Sequence, residues 1–161
     1  ENALEKLNQL AKFELHSIEQ PIREGQFSEM KKLFKNSPFP IALDEELIGI
    51  TNFSDKVKLL EQIQPQYIIL KPTLLGGIKA AEEWISLAKE RGIGWWVTSA
   101  LESNIGLNTI AQWTATLGTD NFQGLGTGSL FTNNIESPLY VSKGFIGYNP
   151  INGWELKSFE E

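Results

Sequence analysis

Cysteine is absent from this chain of 161 residues, and histidine occurs once, at His16. The absence of cysteine excludes disulfide bonds and thiolate metal sites, and the single histidine excludes a histidine-rich zinc site. The chain also lacks an apolar run near the roughly 20 residues that a membrane-spanning helix needs. No signal-peptide pattern is present at its start. We therefore expect a cytoplasmic protein with no membrane partner.

Positive charge is in deficit, with 14 basic against 20 acidic residues and a net charge of −6. This balance argues against a nucleic-acid partner, because phosphates are bound by basic surfaces. Hydrophobic residues make up 41% of the chain, which is enough to bury a core. The composition predicts a globular protein.

Short apolar runs alternate with helical patterns along most of the chain. The predicted strands are 13–19, 40–44, 67–71, 94–99 and a glycine-rich strand or loop at 122–126. Between them, apolar residues recur at the three- and four-residue spacing of amphipathic helices. Alternating strands and helices predict a parallel sheet with right-handed crossovers.

Three charged residues end the first three strand patterns. Glu19, Asp44 and Lys71 follow one another at intervals of 25 and 27 residues, close to the roughly 30 residues of a strand, helix and two loops. Each should therefore lie at the same place in successive units, which in a βα barrel is the catalytic C-terminal rim. Two carboxylates and one lysine there indicate a hard metal ion and an acid, base or electrostatic group.

Five βα units are too few to close an eight-stranded barrel. We predict an α/β fold, a partial TIM-type (β/α) barrel over residues 1–131, about strands 3 to 7 of the standard barrel. Residues 132–161 are predicted to form a C-terminal segment with a β-hairpin that turns at Asn152–Gly153. Because a helical pattern starts at the first residue, we interpret the chain as a fragment. Its cut barrel edges are expected to support self-association.

Five motifs occur in a characteristic order along residues 13–131. They are IEQP at 18–21, ALDE at 42–45, LKP at 70–72, TSALESNIGL at 98–107 and GLGTGSLF at 124–131. In this region the chain resembles the C-terminal barrel portion of the enolase superfamily, and within it the o-succinylbenzoate synthase family. The resemblance implies an Mg²⁺-dependent carbon–oxygen lyase of menaquinone biosynthesis that acts on a small-molecule carboxylate.

The resemblance also implies roles for individual residues. Glu19 and Asp44 would be two of three Mg²⁺ ligands, and Glu45 would support them without holding the metal. Lys71 would be one of two lysines facing each other across the substrate, and would stay protonated to stabilise negative charge. Hydroxyl or backbone N–H groups of later loops would bind a second substrate carboxylate. These substrate-binding candidates are Ser99, Ser103, Gly124, Gly126 and Thr127.

Other interpretations remain open at the sequence level. The family's Lys-x-Lys motif and first carboxylate ligand do not precede Glu19 here, so we expect this chain to be inactive alone. The same site residues suit an amino-acid or dipeptide racemase of the superfamily. A Schiff-base aldolase that uses Lys71 would need no metal. A non-catalytic half-barrel would need neither a metal nor a reactive lysine.

Several residues also have purely structural interpretations. Glu19 and Asp44 are at positions typical of helix caps or surface ion pairs, and Lys71 could form a salt bridge with a nearby acid. Glu102 is either a substrate-loop residue or a helix cap. Strand alternation from Glu19 predicts that His16 faces the outer helices.

Overall fold

A parallel sheet forms the centre of the protein in the computed structural model, which describes residues 2–126 and 130–154. Its strands, in spatial order, are β1 (Ile18–Glu19), β2 (Ile41–Leu43), β3 (Tyr67–Leu70) and β4 (Gly94–Val97). All three pairings are parallel and join consecutive strands. Gly124 extends the sheet through a single parallel bridge to Thr98. This topology confirms a section of a (β/α) barrel.

Helices connect the strands and cover one side of the sheet. They are α1 (Ala3–Leu10), α2 (Phe27–Asn36), α3 (Phe53–Ile63), α4 (Pro72–Leu75), α5 (Ile78–Glu90) and α6 (Asn104–Thr116), with 3-10 turns at Ala11–Phe13 and Glu45–Leu47. In α5, buried Ala81, Trp84, Ile85 and Ala88 recur every three or four residues, which places them on one face toward the core. Within the described ranges, no helix is long and apolar enough to cross a membrane.

Alternation along the strands divides their side chains between two faces of the sheet. The outer face joins the helices in one hydrophobic cluster that includes Ile41, Leu43, Ile68, Leu70 and Val97. Ala42 lies on the opposite, inner face and pairs with Glu19 on one side and Tyr67 on the other. Asp44 follows Ala42 by two residues, and Lys71 follows the inner-face Ile69 by two. The pleat therefore directs Glu19, Asp44 and Lys71 to the same side.

The first strand is shorter than the sequence predicts. The chain forms the 3-10 turn Ala11–Phe13, and Glu14 then has a left-handed φ of 51°. Since β1 begins only at Ile18, regular alternation does not reach back to His16, and the prediction that this residue faces the outer helices is wrong. Its ring lies 5.0 Å from the ring of Tyr67 and 6.3 Å from that of Trp96, both inner-face residues.

An antiparallel hairpin follows the barrel section, with β5 at Leu139–Ser142 and β6 at Phe145–Tyr148. Its turn is Lys143–Gly144, with φ values of 51° and 80°, as both central residues of a type I′ turn require. The turn of the observed hairpin therefore lies within the run 140–150 that the sequence predicts to be a single strand, because the less typical Lys-Gly pair turns the chain there. The strand expected after Asn152–Gly153 falls largely on residues 155–161, outside the part of the chain that the structure describes.

Candidate functional site

Three strand-end residues meet on the inner face, at the carboxyl end of the sheet. Glu19 ends β1, Asp44 follows β2 and Lys71 follows β3. Nζ of Lys71 donates a hydrogen bond to Oδ2 of Asp44 and lies 3.7 Å from Oε1 of Glu19. Asp44 is only 2% exposed, whereas about half of the Glu19 side chain is accessible. The arrangement combines a buried carboxylate, an accessible carboxylate and an ammonium.

The carboxylate of Asp44 is close enough to Glu19 to oppose the ionisation of Glu19. The hydrogen bond between Glu19 and Asp44, then burial, then the charge of Asp44 raise the pKa of Glu19 to about 7. Carboxyl oxygens of Glu19, Asp44 and Glu45 all lie within 4.8 Å of one another. The raised pKa of Glu19 shows that negative charge is crowded in this cluster, whose ligand atoms are all oxygens. A hard divalent cation suits such a cluster because its positive charge offsets that of the carboxylates.

Lys71 is held in its charged form by the same neighbours. Burial lowers the pKa of Lys71, but the hydrogen bond to Asp44 and the charges of Asp44, Glu19 and Glu45 outweigh burial and raise it overall. A lysine serves as a base only when its pKa falls toward neutrality. The surrounding carboxylates therefore keep Lys71 in its protonated form, which suits it to stabilise negative charge.

The two acidic residues that follow the buried aspartate have different environments. The 3-10 turn Glu45–Leu47 leaves Glu45 exposed and buries Glu46. The carboxylate of Glu46 accepts hydrogen bonds from the N–H of Gly25 at 2.7 Å and from Nε2 of Gln20 at 3.0 Å. Sequence analysis missed Gln20 and Glu46, because no pattern in the acidic run marks which residue the turn will bury.

Two of the expected substrate-binding residues are joined where the sheet continues past β4. The N–H of Ser99, which is buried, donates to the carbonyl oxygen of Gly124 at 3.0 Å. Oγ1 of Thr98 donates to the same oxygen at 2.7 Å. A Cβ at position 124 would lie 2.5 Å from Oγ1 of Thr98, so close packing alone requires glycine there.

The remaining expected residues of these loops are more exposed. Ser103 occupies the N-cap position of α6 without a side-chain capping bond, and Gly126 is exposed. Thr127 lies outside the described residues. Glu102, just before the cap, is buried, and its Oε1 accepts a hydrogen bond from Oγ1 of Thr73 at 2.5 Å. Glu102 thus ties the loop after β4 to α4, which begins directly after Lys71.

Known proteins match this chain over most of its length. A curated relative, o-succinylbenzoate synthase from Desulfotalea psychrophila, is 59% identical over 146 residues, which are 91% of this chain and 39% of that protein. The crystal structure of MenC from the same organism has a TM-score of 0.87 at 59% identity and covers 91% of this chain and 41% of that one. An L-Ala-D/L-amino acid epimerase from Flavobacterium johnsoniae is 24% identical over 145 residues, 90% of this chain and 41% of that protein.

The chain thus spans about two fifths of the length of these relatives. The family described as Enolase C-terminal domain-like matches residues 1–154. This match takes in all four sheet strands and the three strand-end residues of the site. On this evidence the chain belongs to the enolase superfamily, as a C-terminal barrel domain.

Proposed function

We propose that these residues contribute to an Mg²⁺-dependent dehydratase that forms o-succinylbenzoate in menaquinone biosynthesis. The observation that carries the proposal is the meeting of Glu19, Asp44 and Lys71 in a chain 59% identical to a relative named o-succinylbenzoate synthase. The activity is proposed for the complete protein that contains these residues, because the chain spans 39% of that relative. Its substrate is a small-molecule carboxylate.

Mg²⁺ fits the carboxylate cluster because every ligand atom available there is a hard oxygen. Asp44, held by its burial, and Glu19, at the accessible side, are the proposed ligands. Glu45 supports them by adding negative charge beside both. Binding displaces the proton that Glu19 otherwise retains up to about pH 7. When bound, the ion supplies positive charge to the oxygens of the substrate carboxylate.

Lys71 acts on the same oxygens. The lysine of the superfamily's Lys-x-Lys motif, which does not precede Glu19 here, is proposed to take the proton α to the substrate carboxylate, and negative charge then moves onto the two carboxylate oxygens. The ammonium of Lys71, whose pKa is raised, stabilises that charge without taking the proton. The same lysine then returns that proton to the β hydroxyl, which leaves as water when its C–O bond breaks, and the ring becomes aromatic. The β4–α6 loop, with Ser99 and Ser103, and the segment with Gly124, Gly126 and Thr127 are proposed to hold the second carboxylate.

Incubating the complete protein with Mg²⁺ and the hydrated, non-aromatic precursor of o-succinylbenzoate tests this proposal. We expect the absorbance of the aromatic product to develop and to be abolished by EDTA. The second candidate is an epimerase, favoured by the relative from Flavobacterium johnsoniae and by a metal and lysine site that serves both reactions. Epimerisation of a dipeptide, with no dehydration of the precursor, would overturn the dehydratase.

For residues 1–161 in isolation, we propose no turnover and self-association. Residues 1–131 form the barrel portion of this proposal and residues 132–161 the C-terminal segment. Among the residues described, β1 pairs only with β2, and an unpaired strand edge is a template for another chain. Light scattering that shows a monomer at high concentration, or measurable turnover by the isolated chain, would contradict this part of the proposal.

A further inference from the structure

A chain of three hydrogen bonds joins the loops that follow β1 and β2. The N–H of Gly25 donates to Oε1 of Glu46 at 2.7 Å, and Nε2 of Gln20 donates to Oε2 of Glu46 at 3.0 Å. The N–H of Asp44 donates to Oε1 of Gln20 at 3.2 Å. Glu46 is 4% exposed, so water does not readily replace these bonds. Gln20 directly follows Glu19, and the series thus reaches both proposed metal ligands.

The donors and acceptors of this series determine which residue types fit it. Both ends, at Gly25 and Asp44, are backbone N–H donors. The side chains at positions 20 and 46 must therefore each offer an acceptor to one of these N–H groups. Between themselves, one of the two side chains must donate a hydrogen bond and the other must accept it. One carboxylate and one amide satisfy all three bonds. Two amides would force one donor against another, and two carboxylates would have no hydrogen to share.

Gln20 is also fixed through its backbone. Its φ of 35° lies in the left-handed region, which a residue with a Cβ seldom adopts. Its N–H donates to the carbonyl oxygen of Ala42 at 2.9 Å, and its Nε2 also donates to that of Ile22 at 3.0 Å. Strained residues of this kind persist where surrounding contacts hold them, and they cluster at functional sites. Gln20 therefore clamps the end of β1 to the end of β2.

We infer that Gln20 and Glu46 are positioning residues that hold the carboxylates of Glu19 and Asp44 at the separation a divalent cation requires. They act through the backbone of Asp44 and the conformation of the residue after Glu19, without contacting the cation. The inference rests on the proposed function, because it assumes that these carboxylates bind a metal. Hydrogen-bond partners of metal ligands typically govern about 10- to 100-fold of metal affinity.

A reciprocal exchange tests the inference in the complete protein, with Mn²⁺ binding followed by electron paramagnetic resonance. Glu46→Gln creates the two-amide mismatch and is expected to weaken Mn²⁺ binding about tenfold. Gln20→Met removes the amide at constant length and charge and is expected to weaken binding similarly. The double variant Gln20→Glu with Glu46→Gln restores the order of donors and acceptors along the series, but it places a carboxylate oxygen at position 20 against the carbonyl oxygen of Ile22. It is therefore expected to bind Mn²⁺ more tightly than Glu46→Gln and less tightly than the wild type.

Glu83→Gln is the matched control, because it removes the negative charge from the salt bridge between Glu83 and Lys56, whose atoms lie 2.9 Å apart on helices outside the site. The Glu83→Gln variant is expected to have a lower melting temperature and an unchanged affinity for Mn²⁺. Glu46→Gln would give the same result if the role of Glu46 were only structural. Unchanged Mn²⁺ affinity in Glu46→Gln and Gln20→Met would overturn the inference. A double exchange that binds Mn²⁺ no more tightly than Glu46→Gln would overturn it as well.

The two proposals fail in different ways. If the variants bind Mn²⁺ in the expected order but the wild type forms no o-succinylbenzoate, the dehydratase proposal is wrong and the positioning role of Gln20 and Glu46 is kept. If the wild type forms the product but all variants bind Mn²⁺ equally well, the dehydratase proposal is kept and the positioning role is wrong. Where one single variant fails to fold, the other single variant and the double exchange carry the same comparison.

Discussion

Nζ of Lys71 donates a hydrogen bond to Oδ2 of Asp44 across adjacent parallel strands, 27 residues apart in the chain. The ammonium thereby compensates a carboxylate that is 2% exposed. Because a buried charge without a partner is strongly destabilising, this pair stabilises the fold as well as preparing the site. Substitution separates the two contributions.

Lys71→Met is expected to lower turnover of the complete protein by roughly 10²- to 10³-fold, as removal of one charge-stabilising donor typically does. It should also lower the melting temperature without divalent cations, because Asp44 loses its ammonium partner. Mg²⁺ should then raise the melting temperature of the variant more than that of the wild type. Initial rates and melting curves with and without Mg²⁺ measure both effects.

Lys58→Met is the control for this change, since Lys58 is 72% exposed and pairs with Asp55 on the surface of α3. It should leave both the rate and the Mg²⁺ response unchanged. A Lys71→Met variant that melts earlier yet keeps full turnover would show that the lysine is structural only.

Asp44→Asn should weaken Mg²⁺ binding by more than the roughly 100-fold attributed to residues that only support a ligand. The substitution keeps the shape of the side chain and removes its charge, so the loss reports direct participation in the metal site. Titration calorimetry of the complete protein measures it. Asp55→Asn, an exposed change at the start of α3, should have no effect. Equal Mg²⁺ affinity in both variants would exclude Asp44 as a ligand.

The ion pair between Lys56 and Glu83 predicts a loss of stability in acid. Nζ of Lys56, on a fully buried side chain, lies 2.9 Å from Oε2 of Glu83 and 3.1 Å from the carbonyl oxygen of Ala80. The hydrogen bond and charge of Lys56 hold the pKa of Glu83 below its ordinary value of 4.5. A carboxyl whose pKa is lowered by folding stabilises the protein fully above its unfolded-state pKa and loses that effect as pH falls through the folded-state value.

Melting curves of the wild type and Glu83→Gln between pH 7 and pH 3 test this prediction. The wild type should melt at a higher temperature at pH 7, and the gap should narrow as the pH falls below the ordinary glutamate pKa of 4.5 and close once the carboxyl is protonated. A gap that stays constant across the range would mean that the ion pair does not cause it.

Gly94→Ala should destabilise the sheet through the ring of Tyr67. A Cβ at position 94 would overlap Cδ1 and Cε1 of that ring, which also lies 5.7 Å from the ring of Trp96. Overpacking of this kind typically costs about 1–3 kcal/mol, and urea unfolding measures it. Gly126→Ala, where no atom of the described residues lies within 4 Å of the added Cβ, should cost little. If the cost at Gly94 persists in a Tyr67→Ala background, ring overlap is not its cause.

The helices and the later strands follow closely from the sequence. Amphipathic spacing and the flanking glycines place α5 at Ile78–Glu90, and the apolar run 67–71 corresponds to β3 at Tyr67–Leu70. These patterns work because burial on one face or on both faces is itself what forms the element. The 3-10 turn at Ala11–Phe13 has no comparable signal, and it displaced the predicted start of β1.

Part of the site is equally predictable. The βα interval places Glu19, Asp44 and Lys71 at equivalent strand ends because parallel strands in neighbouring units end at the same level. The interval does not distinguish Glu45 from Glu46, since one 3-10 turn exposes the first and buries the second. The partners of Glu46 depend on the path of a loop 21 to 26 residues earlier, which no local pattern encodes.

The series of hydrogen bonds through Gln20 and Glu46 also constrains how this site can evolve. The two positions are 26 residues apart, which is one βα unit. The residue type at one position therefore limits which residue types fit at the other position, in the neighbouring unit. A single change at either position leaves a buried donor or acceptor without its partner. Across relatives these two positions are therefore expected to covary, so that divergence in this part of the family proceeds through paired substitutions.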